Sequence, residues 1–236
     1  MSNKLYIIIP AYNEEMNIES VANEWHEVVK NIGEESKLVI IDDGSKDNTY
    51  KKLMELQHNL PQLIPLTKKN SGHGATVLYG YSYALENEAD YIFQTDSDGQ
   101  TLPSEFAQFW KMRDEYSAII GHRNHRKDGW SRVLVTKTLK FVLWSIFHLN
   151  ITDANTPFRL MKKDVLKKYI VKIPKDFNLS NVMLTVLLVK NKEQVKFIPI
   201  TFRPRQGGVN SINFKRIIKI GIQAIKDFRQ IKKGLK

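Results

Sequence analysis

The sequence predicts an α/β domain in which helices flank a mostly parallel central sheet. Three observations carry this. Short apolar runs alternate with segments whose apolar residues recur at helical spacing. Polar, turn-rich stretches follow those runs. A chain of 236 residues with 42% apolar content is also long enough for one large domain with a sizeable core.

The elements follow in order. Residues 5–9 form the first strand, which Pro10 stops. Ile18, Val21, Ala22, Trp25, Val28 and Val29 mark a helix, with Asn13 placed to cap it and Glu14 and Glu15 in its first turn. Residues 38–41 are a second strand, and "DDGSKDNT" is its turn-rich exit. Tyr50, Leu53 and Met54 open the next helix. Residues 63–66 are a third strand, which Pro65 assigns to an edge or irregular position. Val77, Leu78, Tyr81, Ala84 and Leu85 mark a helix after "NSGHG". Residues 91–95 are a fourth strand. Leu102, Phe106, Phe109 and Trp110 mark another helix, and residues 117–120 a further strand.

The second half is less regular. "SRVLVTKTLKFVLWSIFHL" is apolar on more than one face but carries Lys137 and Lys140. "VKFIPITFRPR" is a strand ending in arginines. "INFKRIIKIGIQAIKDFRQIKKGLK" is a basic amphipathic helix whose stripe includes Phe214, Ile217, Ile218, Ile222, Ile225 and Phe228. The expected division is one domain over 1–212 and this helix over 213–236.

Composition excludes several classes. With 26% charged residues, 12 Gly and 8 Pro, the chain is neither disordered nor collagen-like. It has no cysteine, so it can form no disulfide, thiolate metal site or Cys nucleophile. A net charge of +11 draws it to polyanions: nucleic acid, anionic membrane or phosphorylated substrates. Aromatics are not interleaved with the basic residues as a nucleic-acid stacking platform requires. No segment reaches the roughly 18 apolar residues of a membrane span. "MSNKLYIIIPAYNEE" lacks a signal-peptide layout. The reading is therefore cytoplasmic, peripheral on the inner face of the membrane: the C-terminal helix is expected on an anionic bilayer, and segment 133–149 either buries its apolar face beside it or packs on the protein.

In parallel sheets, ligands sit beyond the carboxyl ends of the strands. "PAYNEE", "DDGSKDNT" and "TDSDGQ" all follow strands and should converge on one edge. In "QTDSDGQ", Asp96 and Asp98 stand two residues apart; they form either a polar turn or a site for a hard ion such as Mg2+ or Mn2+. Asp42 and Asp43 end a buried strand and can accept hydrogen bonds from a nucleobase imide or a ribose hydroxyl. The alternative is a capped turn around Asp47 or Asn48. Gly72 and Gly74 precede a helix whose N-terminus favours anions, but the stretch is neither a Walker A loop nor GxGxxG. His73 reads as an exposed loop residue. Among the arginines suited to bidentate phosphate recognition, Arg126, with Lys127, reads as a solvated face, whereas Arg123 and Arg205 are better ligand candidates.

Together "IIIPAYNEE", "VIIDDGSKDNT", "NSGHGATVLYGYSYAL", "YIFQTDSDGQ" and "DANTPFRLMKKDVL" resemble the family-2 inverting glycosyltransferases of GT-A fold. The ordered set "DSDGQ", "GHR", "WSR", "FRLM" and "RQGGVNS" is similar to the polyprenyl-phosphate sugar synthases, of which dolichol-phosphate mannose synthase is one. The chain departs from that subgroup in carrying Pro157 where Gly is common. The resemblance implies that Pro10, Tyr12, Glu14 and Asp42 line the nucleoside pocket, with Asp43, Asn70, Gly74 and Asp96 as further nucleotide contacts. It implies that Asp96, Asp98 and Gln100 hold Mg2+ or Mn2+ on the donor diphosphate. Arg123, Arg132 and Arg205 would hold phosphates, and Asp153 and Arg159 would lie near the sugar and acceptor.

Three functions follow as expectations. The first is inverting transfer of a sugar from a nucleotide-diphosphate donor to a polyprenyl-phosphate acceptor. The second is transfer to a saccharide hydroxyl in capsule or cell-wall glycan assembly, with Asp153 as base. The third is a non-enzymatic basic module binding membrane or nucleic acid. The many arginines and the lack of an unmistakable base favour the first; oligomeric state is left open.

Overall fold

The computed structural model describes residues 3–123 and 130–204, then 221, 223–229 and 232, with the backbone alone over 130–136. The first apolar run is β1 (Leu5–Ala11), buried along its whole length. It does not stop at Pro10, as the sequence suggests, but runs on to Ala11. Pro10 lies beyond the last β1 pair with its neighbour on one side, Ile8 with Gln94, so its missing N–H breaks no ladder bond there. Helix α1 (Ile18–Ile32) buries the predicted stripe. Asn13 is not its cap. It has φ 54°, and its side chain accepts a hydrogen bond from Lys46 N at 2.8 Å in the next loop. The chain turns into the helix at Glu14, whose carbonyl accepts from Asn17 N and Ile18 N, each at 2.9 Å.

The following units are β2 (Lys37–Asp42), α2 (Thr49–Gln57), β3 (Leu63–Thr67), α3 (His73–Glu86) and β4 (Tyr91–Gln94). They are succeeded by α4 (Phe106–Lys111), β5 (Ala118–Arg123), α5 (Trp130–Phe147), β6 (Arg159–Lys162), α6 (Lys163–Ile170), α7 (Ser180–Lys190) and β7 (Val195–Ile200). The seven strands form one sheet in the order β3-β2-β1-β4-β6-β5-β7. β3, with Pro65, is the edge strand that the proline predicted. All pairs are parallel except those of β6, which runs antiparallel between β4 and β5. No apolar run announces β6, because its four residues begin with Arg159 and end with Lys162.

Helices cover both faces. α1, α2 and α4 pack on one, where Trp25, Phe93, Phe106, Phe109 and Phe158 form an aromatic cluster; Phe93 and Phe158 meet edge to face at 4.7 Å. α3, α5, α6 and α7 pack on the other. α7 is buried from Ser180 to Leu188. Within the C-terminal helix, Ala224 and Phe228 are buried, and the Phe228 ring lies 5.9 Å from that of Phe147 and 5.8 Å from that of Phe177. At these two positions the apolar stripe turns to the protein, where a bilayer had been expected. Phe214, Ile217, Ile218, Ile222 and the expected boundary at 212 lie outside the described residues. No helix among the described residues is long and apolar enough to cross a membrane.

Gly80 sets how closely α3 lies on the sheet. A Cβ there would come within 2.3 Å of Ile8 Cγ2 and 2.9 Å of Ile41 Cδ1. We therefore expect Gly80→Ala to lower stability by about 1–3 kcal/mol through overpacking. Thermal unfolding checks this, and a variant as stable as the parent would contradict the packing account.

Candidate active site

The topology gathers the polar loops. β1, β2, β3, β4, β5 and β7 all run the same way, so their carboxyl ends share one edge. β6 runs the other way and therefore starts at that edge, with Arg159 between Gln94 and Ile120. The loops after Ala11, Asp42, Gln94 and Arg123 thus meet the stretch 153–158 that precedes β6.

On one side, hydrogen bonds zip two loops together. Asn13 N donates to Ser45 Oγ at 2.9 Å, and Glu14 N to Thr49 Oγ1 at 2.9 Å. The buried Glu14 carboxylate accepts from Asn17 Nδ2 at 2.7 Å. Tyr12 stays exposed beside them. Asp42 is buried and turned inward, accepting from Thr67 Oγ1 at 2.9 Å and Ser45 N at 3.2 Å. Asp43 is buried too and organises the third loop. Its Oδ1 accepts from Lys68 Nζ and from Ser71 N at 3.0 Å, and its Oδ2 from Gly72 N at 2.8 Å. Its carbonyl accepts from Asn70 Nδ2 at 2.8 Å. Burial opposes the charged form, but Lys68 and the Ser71 N–H outweigh it and hold the Asp43 carboxyl below the usual range. Gly44, at φ 68°, allows this approach, since a Cβ would meet Asn70 N at 2.9 Å. Gly74 has a different reason. The space beside it is filled by Phe177 O, 2.2 Å from where a Cβ would stand, so its close approach is to this chain's own backbone.

"TDSDGQ" leaves β4 at the centre of the edge. Asp96 and Asp98 are partly exposed, while Ser97 between them is buried. Asp98 Oδ1 accepts from Gln100 N at 3.1 Å. Gln100 ties the turn to the segment after β7: its side chain donates to Arg203 O at 2.9 Å, and its own carbonyl accepts from Arg203 N at 2.8 Å. His73, which opens α3, places Nε2 3.0 Å from Asp96 Oδ1. Desolvation disfavours its charged form, but Asp96, with Asp43 and Asp98 further off, wins and raises its pKa above the ordinary histidine value. The sequence reading missed this partner, because the two residues stand 23 apart. No three His, Asp or Glu side chains cluster as a complete metal cage among the described residues. Two carboxylates nevertheless match what Mg2+ or Mn2+ takes from protein when phosphates and waters supply the rest.

On the other side, Arg123 ends β5 and meets Asp153. Arg123 Nε donates to Asp153 Oδ2 at 2.9 Å and Nη2 to Oδ1 at 3.2 Å, a bidentate pair. Its guanidinium also lies 5.3 Å from the Phe202 ring centroid. Arg159 was expected beside the sugar but is closed off from solvent, at 0% exposure. It donates to Thr156 O at 2.6 Å, Asn181 O at 3.0 Å and Ala154 O at 3.3 Å. Beside it, Tyr81 OH donates to Gln94 Oε1 at 2.6 Å, and burial pushes Tyr81 above its ordinary pKa. Arg159 is therefore built into the support of the 153–158 stretch. The side chain of Arg132, and Arg205 entirely, lie outside the described residues.

Comparison with known proteins follows the same lines. The model of a family described as Glycosyl transferase family 2 matches residues 6–170. The chain is 29% identical over 222 residues to UDP-N-acetylglucosamine–dolichyl-phosphate N-acetylglucosaminyltransferase of Methanococcus voltae, covering 85% of this chain and 86% of that protein. It is 25% identical over 225 residues to polyprenol monophosphomannose synthase of Mycolicibacterium smegmatis, covering 92% and 83%. Among solved structures it resembles glucosyl-3-phosphoglycerate synthase from Mycobacterium tuberculosis in complex with Mn2+, UDP and glucosyl-3-phosphoglycerate. The TM-score is 0.69 at 14% identity, over 97% of this chain and 80% of that one, a likeness of fold.

The Asp43 contacts make a pH-dependent prediction. A carboxyl with a depressed folded pKa contributes its full stability above the unfolded value, about 3.9, and loses it as pH falls through the lower folded value. Asp43→Asn should therefore cost about 1–3 kcal/mol near neutral pH. In urea unfolding, the gap between variant and parent should close only below about pH 4. A gap that persists undiminished in acid would contradict the assignment.

Proposed function

The chain belongs to glycosyl transferase family 2, and from that membership we propose that it transfers a sugar, with inversion, from a nucleotide-diphosphate sugar to a polyprenyl phosphate at a membrane surface. The observation that carries the acceptor is the Arg123–Asp153 pair. A sugar hydroxyl must lose its proton as it attacks, so it needs a carboxylate positioned as base. Here the candidate carboxylate holds a guanidinium with both oxygens and accepts from Asn155 N at 3.3 Å as well. A phosphate monoester is already largely ionised at neutral pH, its second pKa being about 6. It requires cations that offset repulsion from the donor diphosphate, and Arg123 provides one at this edge. The names of the two relatives, one a dolichyl-phosphate transferase and the other a polyprenol monophosphomannose synthase, support the same acceptor class.

In this reading exposed Tyr12 and Asn70 meet the nucleoside, while buried Glu14, Asp42 and Asp43 hold the loops that form its wall and Pro10 and Gly74 shape the backbone beneath. Asp96 and Asp98, with Gln100 bracing their turn, would hold Mg2+ or Mn2+. The bound ion would neutralise charge that develops on the departing diphosphate. Arg123, joined by Arg132 and Arg205, would hold phosphate oxygens, so most of the catalysis is positioning and charge stabilisation. Asp153 orients Arg123, and Arg159 orients the stretch that carries Asp153.

A donor panel of UDP- and GDP-sugars with Mn2+, offered to a short polyprenyl phosphate and to free saccharides, tests this. Transfer to the lipid phosphate is expected. Arg123→Gln should lower kcat/KM by about 10²-fold or more. Asp98→Asn should abolish the rise in melting temperature that Mn2+ and a nucleoside diphosphate produce. Transfer to a saccharide hydroxyl alone would overturn the acceptor assignment, and no nucleotide-dependent shift in the parent would overturn the donor assignment.

A further inference from the structure

Helix α5 has two unlike faces. Leu143, Ile146 and Phe147 are buried in the core. Phe141 and Trp144 point away from it, 65% and 57% exposed. Their ring centroids lie 6.2 Å apart, the one pair of exposed large apolar side chains in ring contact among the described residues. At the helical rotation of 3.6 residues per turn, Lys137, Lys140, Phe141 and Trp144 fall on one stripe of the helix. Each of them is exposed. No carboxylate occurs in the sequence between Asp128 and Asp153, so nothing acidic on this helix neutralises the stripe.

We propose that this stripe docks the protein on an anionic bilayer, the aromatic pair entering the headgroup region and Lys137 and Lys140 meeting lipid phosphates. Aromatic rings beside lysines suit that boundary, where one end is apolar and the other wet. Anionic lipid also attracts basic surface segments. Charge selects lipid over a second copy of the chain, because pairing two such stripes would bring lysines against lysines on a protein of net charge +11. Continuity with the site points the same way. α5 runs directly into the segment that carries Asp153, the partner of Arg123. A surface lying on the bilayer here would present the acceptor side of the edge to a lipid-borne phosphate. The proposal rests on the lipid-phosphate reading for its purpose, but its test is independent of catalysis.

The test is co-sedimentation of the full chain with phosphatidylcholine vesicles, with and without phosphatidylglycerol, at low and high salt. Binding to the anionic vesicles alone, weakened by salt, is expected. The double variant Phe141→Ser, Trp144→Ser should bind them at least about tenfold more weakly, and Lys137→Glu, Lys140→Glu should abolish the preference for anionic lipid. Both changes lie on exposed positions, and an unchanged melting temperature with the nucleotide-induced shift retained would tie any loss of binding to the stripe. Equal vesicle binding by parent and double variant would overturn the proposal. So would a parent that dimerises in analytical ultracentrifugation through the same two aromatics. Transfer to a water-soluble short-chain polyprenyl phosphate should survive in the double variant. Its loss there would assign the aromatics to the catalytic site and overturn docking, whereas its absence in the parent as well would count against the transferase reading alone.

Discussion

A guanidinium shut away from water must find its hydrogen-bond acceptors inside the protein. Arg159 finds them in the carbonyls of Ala154, Thr156 and Asn181. Those three groups belong to the stretch before β6 and to the first turn of α7, so one side chain fixes both. Arg159 is also the first residue of β6, paired with Gln94 on one side and Ile120 on the other. The antiparallel insertion of β6, the course of 153–158 and the seat of α7 are therefore a single arrangement. Without it, Asp153 would have no defined place opposite the loop that carries Asp96 and Asp98.

The opposite side of the edge depends on a second buried charge. Asp43 gathers Lys68, Ser71 N and Gly72 N, which fixes the entry to α3 and so the position of His73 beside Asp96. The two halves differ in chemistry. One side is built from carboxylates that accept from backbone and hydroxyl groups; the other, among the described residues, presents Arg123 held by Asp153. The proposed transfer between two phosphate-bearing substrates would use that asymmetry, with carboxylates to hold a metal and a guanidinium to meet the remaining anionic oxygens.

Much of the first half was legible because its strands are buried on both faces and read as plain apolar runs. Pro65 announced an edge strand for a reason that holds in any sheet. β6 was illegible, since four residues bounded by Arg159 and Lys162 carry no strand signal and owe their state to pairing with β4 and β5. At the site, the strand-end position of Asp96 and Asp98 could be read from the sequence. The inward turn of Asp42 and the Asp43–Lys68 contact could not, because each depends on a partner 25 residues away. Arg159 was misread for a similar reason. An arginine near a polar loop suggests a ligand, and only the carbonyls from α7 and the preceding stretch explain its burial. The amphipathic C-terminal helix suggested a membrane, yet Phe228 fills a gap between Phe147 and Phe177. The exposed aromatic pair sits instead on α5, whose apolar residues on several faces concealed which side would be left outside.

The central claim is that one sheet edge holds a donor diphosphate between the Asp96–Asp98 pair and the arginine side. Anomalous scattering from a crystal grown with Mn2+ and a nucleoside diphosphate tests it most directly. The account predicts one manganese peak within coordination distance of Asp96 or Asp98, with the diphosphate on the side of Arg123. A manganese peak away from both carboxylates, or a nucleotide bound elsewhere on the protein, would contradict it.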